Sequence, residues 1–307
     1  MHLVKPTQSE TPPLWVPLFL GLGILSFGFS PIFVRWAGET DPYFLAAGRL
    51  GIAWALLLPF WFRQGTSLAN LKREKGVEPW AILLSGALLG AHLVLFISSI
   101  QFTSVASATV LVTMHPILFI VLESVIFKHQ FSWRVWVGVC TALSGTFLLT
   151  IGSEGDVLAL SDGQPLLGNG LAFSAAILFA FYFLIGRSVR QKSSWLDYVF
   201  YVYGAAFLTA TILFMLLAES YSGFGGTAWL MVVLLAVGPT IVGHGSLNFA
   251  VRYYSATALS TLILAEAVLA TLLAYFLFQE IPSALTVGGM LVIMAGISLT
   301  WSMNSST

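Results

Sequence analysis

Residues 104–127, SVASATVLVTMHPILFIVLESVIF, and residues 255–278, SATALSTLILAEAVLATLLAYFLF, align without a gap at an offset of 151. The register extends over 102–149 and 253–300, with identities at Ser104/Ser255, Leu111/Leu262, Leu118/Leu269, Leu122/Leu273, Phe127/Phe278, Gly138/Gly289, Gly145/Gly296 and Leu148/Leu299. Leucine matches carry little weight in so leucine-rich a chain. More telling is that breaks, glycines and ionisable groups keep step. His115 falls opposite Glu266, each in the middle of an apolar run long enough to cross a bilayer as a helix. A charged group at that depth is costly unless paired or hydrated, so a titratable side chain there is a functional candidate. Duplicated halves that meet around a midplane site are an arrangement of membrane transporters.

Composition fixes the broad class. Of 307 residues, 58% are hydrophobic and 8% charged, with mean hydropathy +0.90. A soluble domain carries about 25% charged residues, so this chain lacks the polar surface that water demands. Thirteen cations balance thirteen anions, which argues against nucleic acid as a partner. The single cysteine, Cys140, cannot form an intramolecular disulfide and reads as a small packing residue. The polar, proline-rich start MHLVKPTQSETPP gives way to an apolar run too long for a signal-peptide core.

Ten apolar segments recur, at 14–37, 42–63, 79–101, 103–126, 132–152, 165–187, 195–218, 227–249, 255–278 and 282–303. They are continuous rather than alternating, which favours helices over a β-barrel. With the N-terminus cytoplasmic, the inner segments hold Lys5, Arg63, Lys72, Arg73, Lys75, Lys128, Arg134, Arg187, Arg190, Lys192 and Arg252, which is 11 of the 13 Lys and Arg residues. The opposite loops hold Glu39, Asp41, Glu154, Asp156, Asp162, Glu219 and Glu280. That asymmetry matches the positive-inside rule and places both termini in the cytoplasm of a bacterial inner membrane. Five spans per half is an odd number, so the second half enters upside down. The expected architecture is an all-α polytopic membrane protein: ten transmembrane helices in two inverted five-helix repeats, 1–152 and 153–307, around a central cavity.

Several side chains could line that cavity. His92, Phe96 and Ser99 share a face of the third span at i, i+4 and i+7, and His244 stands one turn from Asn248 on the eighth. His115 and Glu266 suit proton coupling or contact with a substrate amine. The alternative is two helix-packing groups bonded to neighbouring backbone. Pro116 should kink the fourth span and free carbonyls beside His115. Arg49, about two turns into the second span, has three readings: a pair with Glu39 or Asp41, snorkelling outward, or a fork for a substrate carboxylate. Glu123 is expected to meet Lys128 or water. Tyr182, Tyr201 and Tyr203 lie inside spans six and seven and need hydroxyl partners. Gly86 and Gly90, and the pairs Gly138/Gly145 and Gly289/Gly296, mark close helix contacts. Gly238, Pro239, Gly243 and Gly245 interrupt the eighth span and suggest a hinge. No HExxH spacing supports a metal, and no ATP-binding loop, nucleophile elbow or cofactor motif appears.

The stretches Arg35-Trp36-Ala37, GRLGIAWALLLPF (48–60), HPILFIVLESVIF (115–127) and AEAVLATLLAYFLFQE (265–280) resemble the drug/metabolite transporter superfamily in its EamA-type branch. The overall look is closest to the YddG-like aromatic amino acid exporters. Two departures stand out: Ala267 where that pattern commonly has proline, and Lys128-His129 where a Gly-Glu type ending is usual. The resemblance implies export of small organic solutes, most simply aromatic or apolar amino acids, by rocking of the two halves. Protons are a candidate second partner and no cofactor is expected. A broad drug or metabolite exporter is the competing transporter reading. A membrane sensor or assembly subunit, or an intramembrane enzyme, would be a different class. Oligomeric state is not readable from the chain.

Overall fold

A computed structural model describes residues 12–103, 105–126, 128, 130–154, 165–218 and 220–304. Lys5, His129, Asp156, Asp162, Glu219 and most of the 153–164 seam lie outside the described residues. Within them the chain forms ten helices long and apolar enough to cross a membrane: α1 (Trp15–Trp36), α2 (Pro42–Gln64), α3 (Pro79–Ser99), α4 (Ala108–Ile126), α5 (Trp133–Gly152), α6 (Leu166–Arg190), α7 (Trp195–Leu217), α8 (Gly226–Ala250), α9 (Ala256–Phe278) and α10 (Ala284–Trp301). Starts are chemically marked. Asp41 accepts the Phe44 amide ahead of Pro42, Ser194 caps α7 through Asp197, and Ser255 caps α9 through Ala258. A short basic helix, Leu68–Lys75, lies between α2 and α3 and stops at Gly76 in the left-handed region.

The packing has an internal correspondence. α3 lies on α6 and α7, as α8 lies on α1 and α2; α4 touches α6, as α9 touches α1. The pairs α2·α7, α4·α9 and α5·α10 complete the set. Exchanging each helix with the one five places along maps these contacts onto themselves.

The α5·α10 seam shows how glycine sets the approach distance. A Cβ on Gly145 would lie 2.8 Å from the Gly289 carbonyl oxygen, and one on Gly289 would lie 2.7 Å from that of Gly145. Gly138 and Gly296 repeat the relation two turns away. Both helices therefore meet backbone to backbone, which is the usual source of helix adhesion in lipid. Gly145→Val is expected to force the helices apart and to destabilise the protein by about 1–3 kcal/mol. The check is the melting temperature of the purified protein in detergent; an unchanged value would refute the seam's role. Gly86 and Gly90 of α3 lie as closely on the α7 backbone at Val202 and Ala206. Cys140 corrects the sequence reading: it sits on the outer, exposed face of α5 rather than in packing. An apolar helix gives no local sign of which side faces lipid.

Three spans are interrupted where the sequence placed its candidates. α4 is built from Val105–Val112 and His115–Ile126, and α9 from Ala256–Ile263 and Ala265–Phe278. The first pieces, 105–112 and 256–263, correspond at the 151-residue offset. Pro116 supplies the break in α4, since it lacks an N–H and crowds the preceding turn. α9 breaks at the same place without a proline. Both interruptions close with tighter bonds, Met114 to Leu111 and Leu264 to Thr261. α8 contains a π-helical stretch, Ala236–His244, holding Pro239. Each π turn takes up an extra residue and shifts the register of the helix beyond it. That shift accounts for His244, rather than Gly243, being the counterpart of His92.

Candidate functional site

The breaks put His115 at the first residue of its half-helix and Glu266 at the second residue of its own. Between α4, α9 and their neighbours lies a polar centre in an otherwise apolar bundle. Arg49 of α2 is buried, 6% exposed, and its Nε donates to the Thr240 hydroxyl at 2.9 Å. Thr240 in turn donates to the Leu235 carbonyl across the π turn, 2.9 Å away. Its own carbonyl accepts from Tyr203 at 2.8 Å. The snorkelling and Glu39/Asp41 readings of Arg49 are thus corrected. The side chain turns inward, and Asp41 instead caps its helix. Arg49 and Glu266 come from opposite halves of the chain and lie within electrostatic reach, yet form no direct ion pair among the described residues. Glu266 keeps partial exposure.

Around this centre the three candidate histidines gather on one ring. Phe179 of α6 lies with its centroid 5.1 Å from His92, 5.0 Å from His115 and 6.3 Å from His244. Phe119, Tyr182 and Phe183 complete the aromatic shell at 6.2, 5.7 and 5.8 Å. His92 uses its Nδ1 on the Ala175 carbonyl at 2.8 Å. Among the described residues the buried Nδ1 of His244 has no hydrogen-bond partner, and that of His115 has none of good geometry, its ring interacting with the Thr113 backbone. A buried polar atom left so is costly. His244 also meets Phe27 of α1 edge-on at 5.1 Å. Sequence reasoning missed Phe179, because one phenylalanine among 24 carries no mark. Its spacing of three from Tyr182 was the only available signal.

The remaining candidates have further partners or lie elsewhere. Tyr182 and Asn248 do come together, but on each other: the tyrosine hydroxyl lies 3.0 Å from Asn248 Oδ1 and 2.8 Å from Nδ2, and both residues are fully buried. Arg190 adds a bond from Nε to the Asn248 carbonyl at 2.9 Å. These contacts, with Ser85 between the Tyr182 carbonyl and the Tyr198 hydroxyl, join α3, α6, α7 and α8 at the end that carries the basic loops. Ser99 turns its hydroxyl proton back to the Phe96 carbonyl at 2.6 Å. Phe96 is partly exposed. Tyr201 points to the loop, donating to the Thr66 carbonyl at 3.1 Å. Glu123, expected beside Lys128 or water, instead pairs with Arg187. Among the described residues no cluster of His, Cys, Asp and Glu suits a metal.

A cavity of about 620 Å³ lies away from this centre, between α2, α3 and α7. Trp54, Leu83, Phe200, Phe207 and Leu208 line it, and Tyr201 and Thr209 are its polar members. Leu83 and Leu208 are exposed on the apolar belt, so it is a bilayer-facing groove rather than a solute site.

Comparison with known proteins agrees with this architecture. The chain is similar to the uncharacterized transporter YdfC of Bacillus subtilis, 25% identical over 96% of this chain and 92% of that one. It is also similar to an S-adenosylmethionine uptake transporter of Rickettsia felis, 22% identical over 89% and 87% of the two chains. A solved crystal structure superposes with a TM-score of 0.80 at 20% identity, covering 95% of this chain and 98% of the other, which establishes the shared fold. The sequence profile of the EamA-like transporter family matches twice, over residues 14–151 and 166–302. This chain is an integral membrane protein and belongs to the EamA-like transporter family.

Proposed function

We propose that the protein is a secondary transporter of small zwitterionic solutes with an α-amino-acid head group. It works in a bacterial inner membrane by alternating access between inverted halves, 1–152 and 153–307. The carrying observation is that Arg49 and Glu266, from opposite halves of the chain, lie near enough to interact electrostatically without an ion pair among the described residues, where the guanidinium is bonded through Nε. A guanidinium fork suits a carboxylate, and Glu266 suits an ammonium group. The Phe179 face with His92, His115 and His244 offers a flat apolar wall for the rest of the solute. Aromatic amino acids moving outward fit this chemistry. S-adenosylmethionine fits it too, with an amino-acid head and a flat base, and relatives carrying that name favour it as the second reading. The distribution of basic loop residues supports a cytoplasmic position for both termini. Glu266 and His115 are the groups that would exchange protons with a moving solute.

The test is counterflow in proteoliposomes with labelled tryptophan, phenylalanine, leucine and S-adenosylmethionine. Saturable exchange of at least one, competed by the others, is the expected result. Flux of hydrophobic cations with no amino-acid competition would replace this reading with a broad drug exporter. No flux of any solute would point to a sensor or assembly subunit. Imposing a pH gradient on the parent and on Glu266→Gln decides coupling: a gradient effect lost in the variant assigns the proton to Glu266.

A further inference from the structure

At the end bearing the basic loops, Glu123 of α4 sits only 1% exposed between two partners from different helices. Arg187 of α6 pairs with its Oε1, and Thr257 of α9 donates to its Oε2 at 2.7 Å. Thr257 is equally buried and lies in the first turn of α9, just after the Ser255 cap. One carboxylate therefore ties three helices, two of them from the second half of the chain. The opposite end has a counterpart. Arg35, at the end of α1, pairs with Glu280, just past α9, and stacks over Phe278 at 4.0 Å. Since α1 corresponds to α6 and α9 to α4 in the packing, the two ion pairs join matching helices at opposite ends.

They differ in surroundings. The Arg35–Glu280 side chains are about half exposed, 53% and 51%. Glu123 and Arg187 are 2% and 20% exposed. An exposed pair contributes little, whereas removing one partner of a buried pair leaves a charge in a medium that does not solvate it. The remaining charge is then better off where water can reach it. The sign is fixed: breaking the buried pair favours whichever conformation opens that end.

We propose that Glu123, Arg187 and Thr257 form the latch that holds the basic end of the pathway shut, while Arg35–Glu280 is a weak contact at the other end. The inference rests on the two-ended pathway proposed above. A ligand that binds the open and shut forms differently shifts this equilibrium only by its difference in affinity, so the latch sets the resting population from which transport begins.

The test reads conformation without a substrate, so failed amino-acid flux leaves it interpretable. Ser260, buried one turn from Thr257, becomes the reporter as Ser260→Cys in a Cys140→Ala background. A membrane-impermeant methanethiosulfonate is applied to oriented vesicles from the basic face. Glu123→Gln and Arg187→Gln are each expected to raise the labelling rate about tenfold or more. Thr257→Val, which removes one hydrogen bond, should raise it about threefold. The exchange Glu123→Arg with Arg187→Glu should bring it back toward the parent rate. Arg35→Gln should change it less than about twofold. Detergent-unfolded samples fix the maximum rate, and monodisperse elution confirms folding. Parent-like labelling in folded Glu123→Gln, Arg187→Gln and Thr257→Val overturns the latch. So does an exchanged pair that labels as fast as the single variants. If the single variants do not fold, Thr257→Val and the exchanged pair carry the decision.

Discussion

Arg49→Met should bind zwitterionic solutes far more weakly than the parent while remaining folded. The guanidinium is buried, bonded to Thr240 and within electrostatic reach of Glu266. Removing one partner of a buried, hydrogen-bonded charge pair costs about 2–5 kcal/mol. At about 1.4 kcal/mol per decade, that is a loss of tens-fold to thousands-fold in affinity. Arg49→Lys keeps the charge and loses the planar fork, so an intermediate loss of about tenfold is expected. Thr240→Val separates the two roles of the arginine. If Arg49 served only to brace the π turn, Thr240→Val would reproduce the loss; a change below about threefold is expected instead. Affinity measured by equilibrium binding and by counterflow decides the matter. Parent-like exchange in Arg49→Met would remove Arg49 from the site.

A second large effect belongs to Phe179. Its ring touches three histidines and three other aromatic rings from α4, α6 and the neighbouring helices α3 and α8. Aromatic pairs add about 0.5–1.5 kcal/mol each beyond their buried area. Truncation also opens a cavity among groups that cannot collapse freely. Phe179→Ala is therefore expected to cost about 3–5 kcal/mol of stability, seen as a lower melting temperature in detergent. Phe179→Leu fills most of the space and should cost about 1 kcal/mol, yet it removes the flat face. Its expected signature is reduced preference for tryptophan over leucine in exchange, with the leucine rate kept. A Phe179→Ala protein that melts with the parent would show that the ring is peripheral.

Much of the fold was legible because the bilayer restricts the answers. Apolar runs of about 20 residues must become helices that satisfy their own backbone, and ten were readable with their approximate bounds. Pro116 announced the break in α4, whereas the matching break in α9 beside Glu266 was not expected from the sequence. The glycine spacing on α5 and α10 likewise named a seam that the packing contains.

The rest was hidden for a common reason. Arg49 had three readings because a single arginine in an apolar helix does not say which way it points. Thr240, 191 residues away, decides it. Glu123 was assigned to nearby Lys128 or water, but its partners are 64 and 134 residues distant. Tyr182 and Asn248, read as separate cavity liners, bond each other across 66 residues. α9 breaks without the proline that explains α4, so its break is not written locally.

By itself the sequence determined the membrane class, the ten crossings, the correspondence of the two halves and the equivalent positions of His115 and Glu266. These come from composition and period, which act within one helix. Only the tertiary structure decided that Arg49 bonds Thr240, that three histidines close on Phe179, and that Glu123 is held by Arg187 and Thr257. A helix that is apolar on every side carries no stripe to aim it. Its orientation is therefore set by the neighbours it packs against, and those are chosen by contacts far apart in the chain.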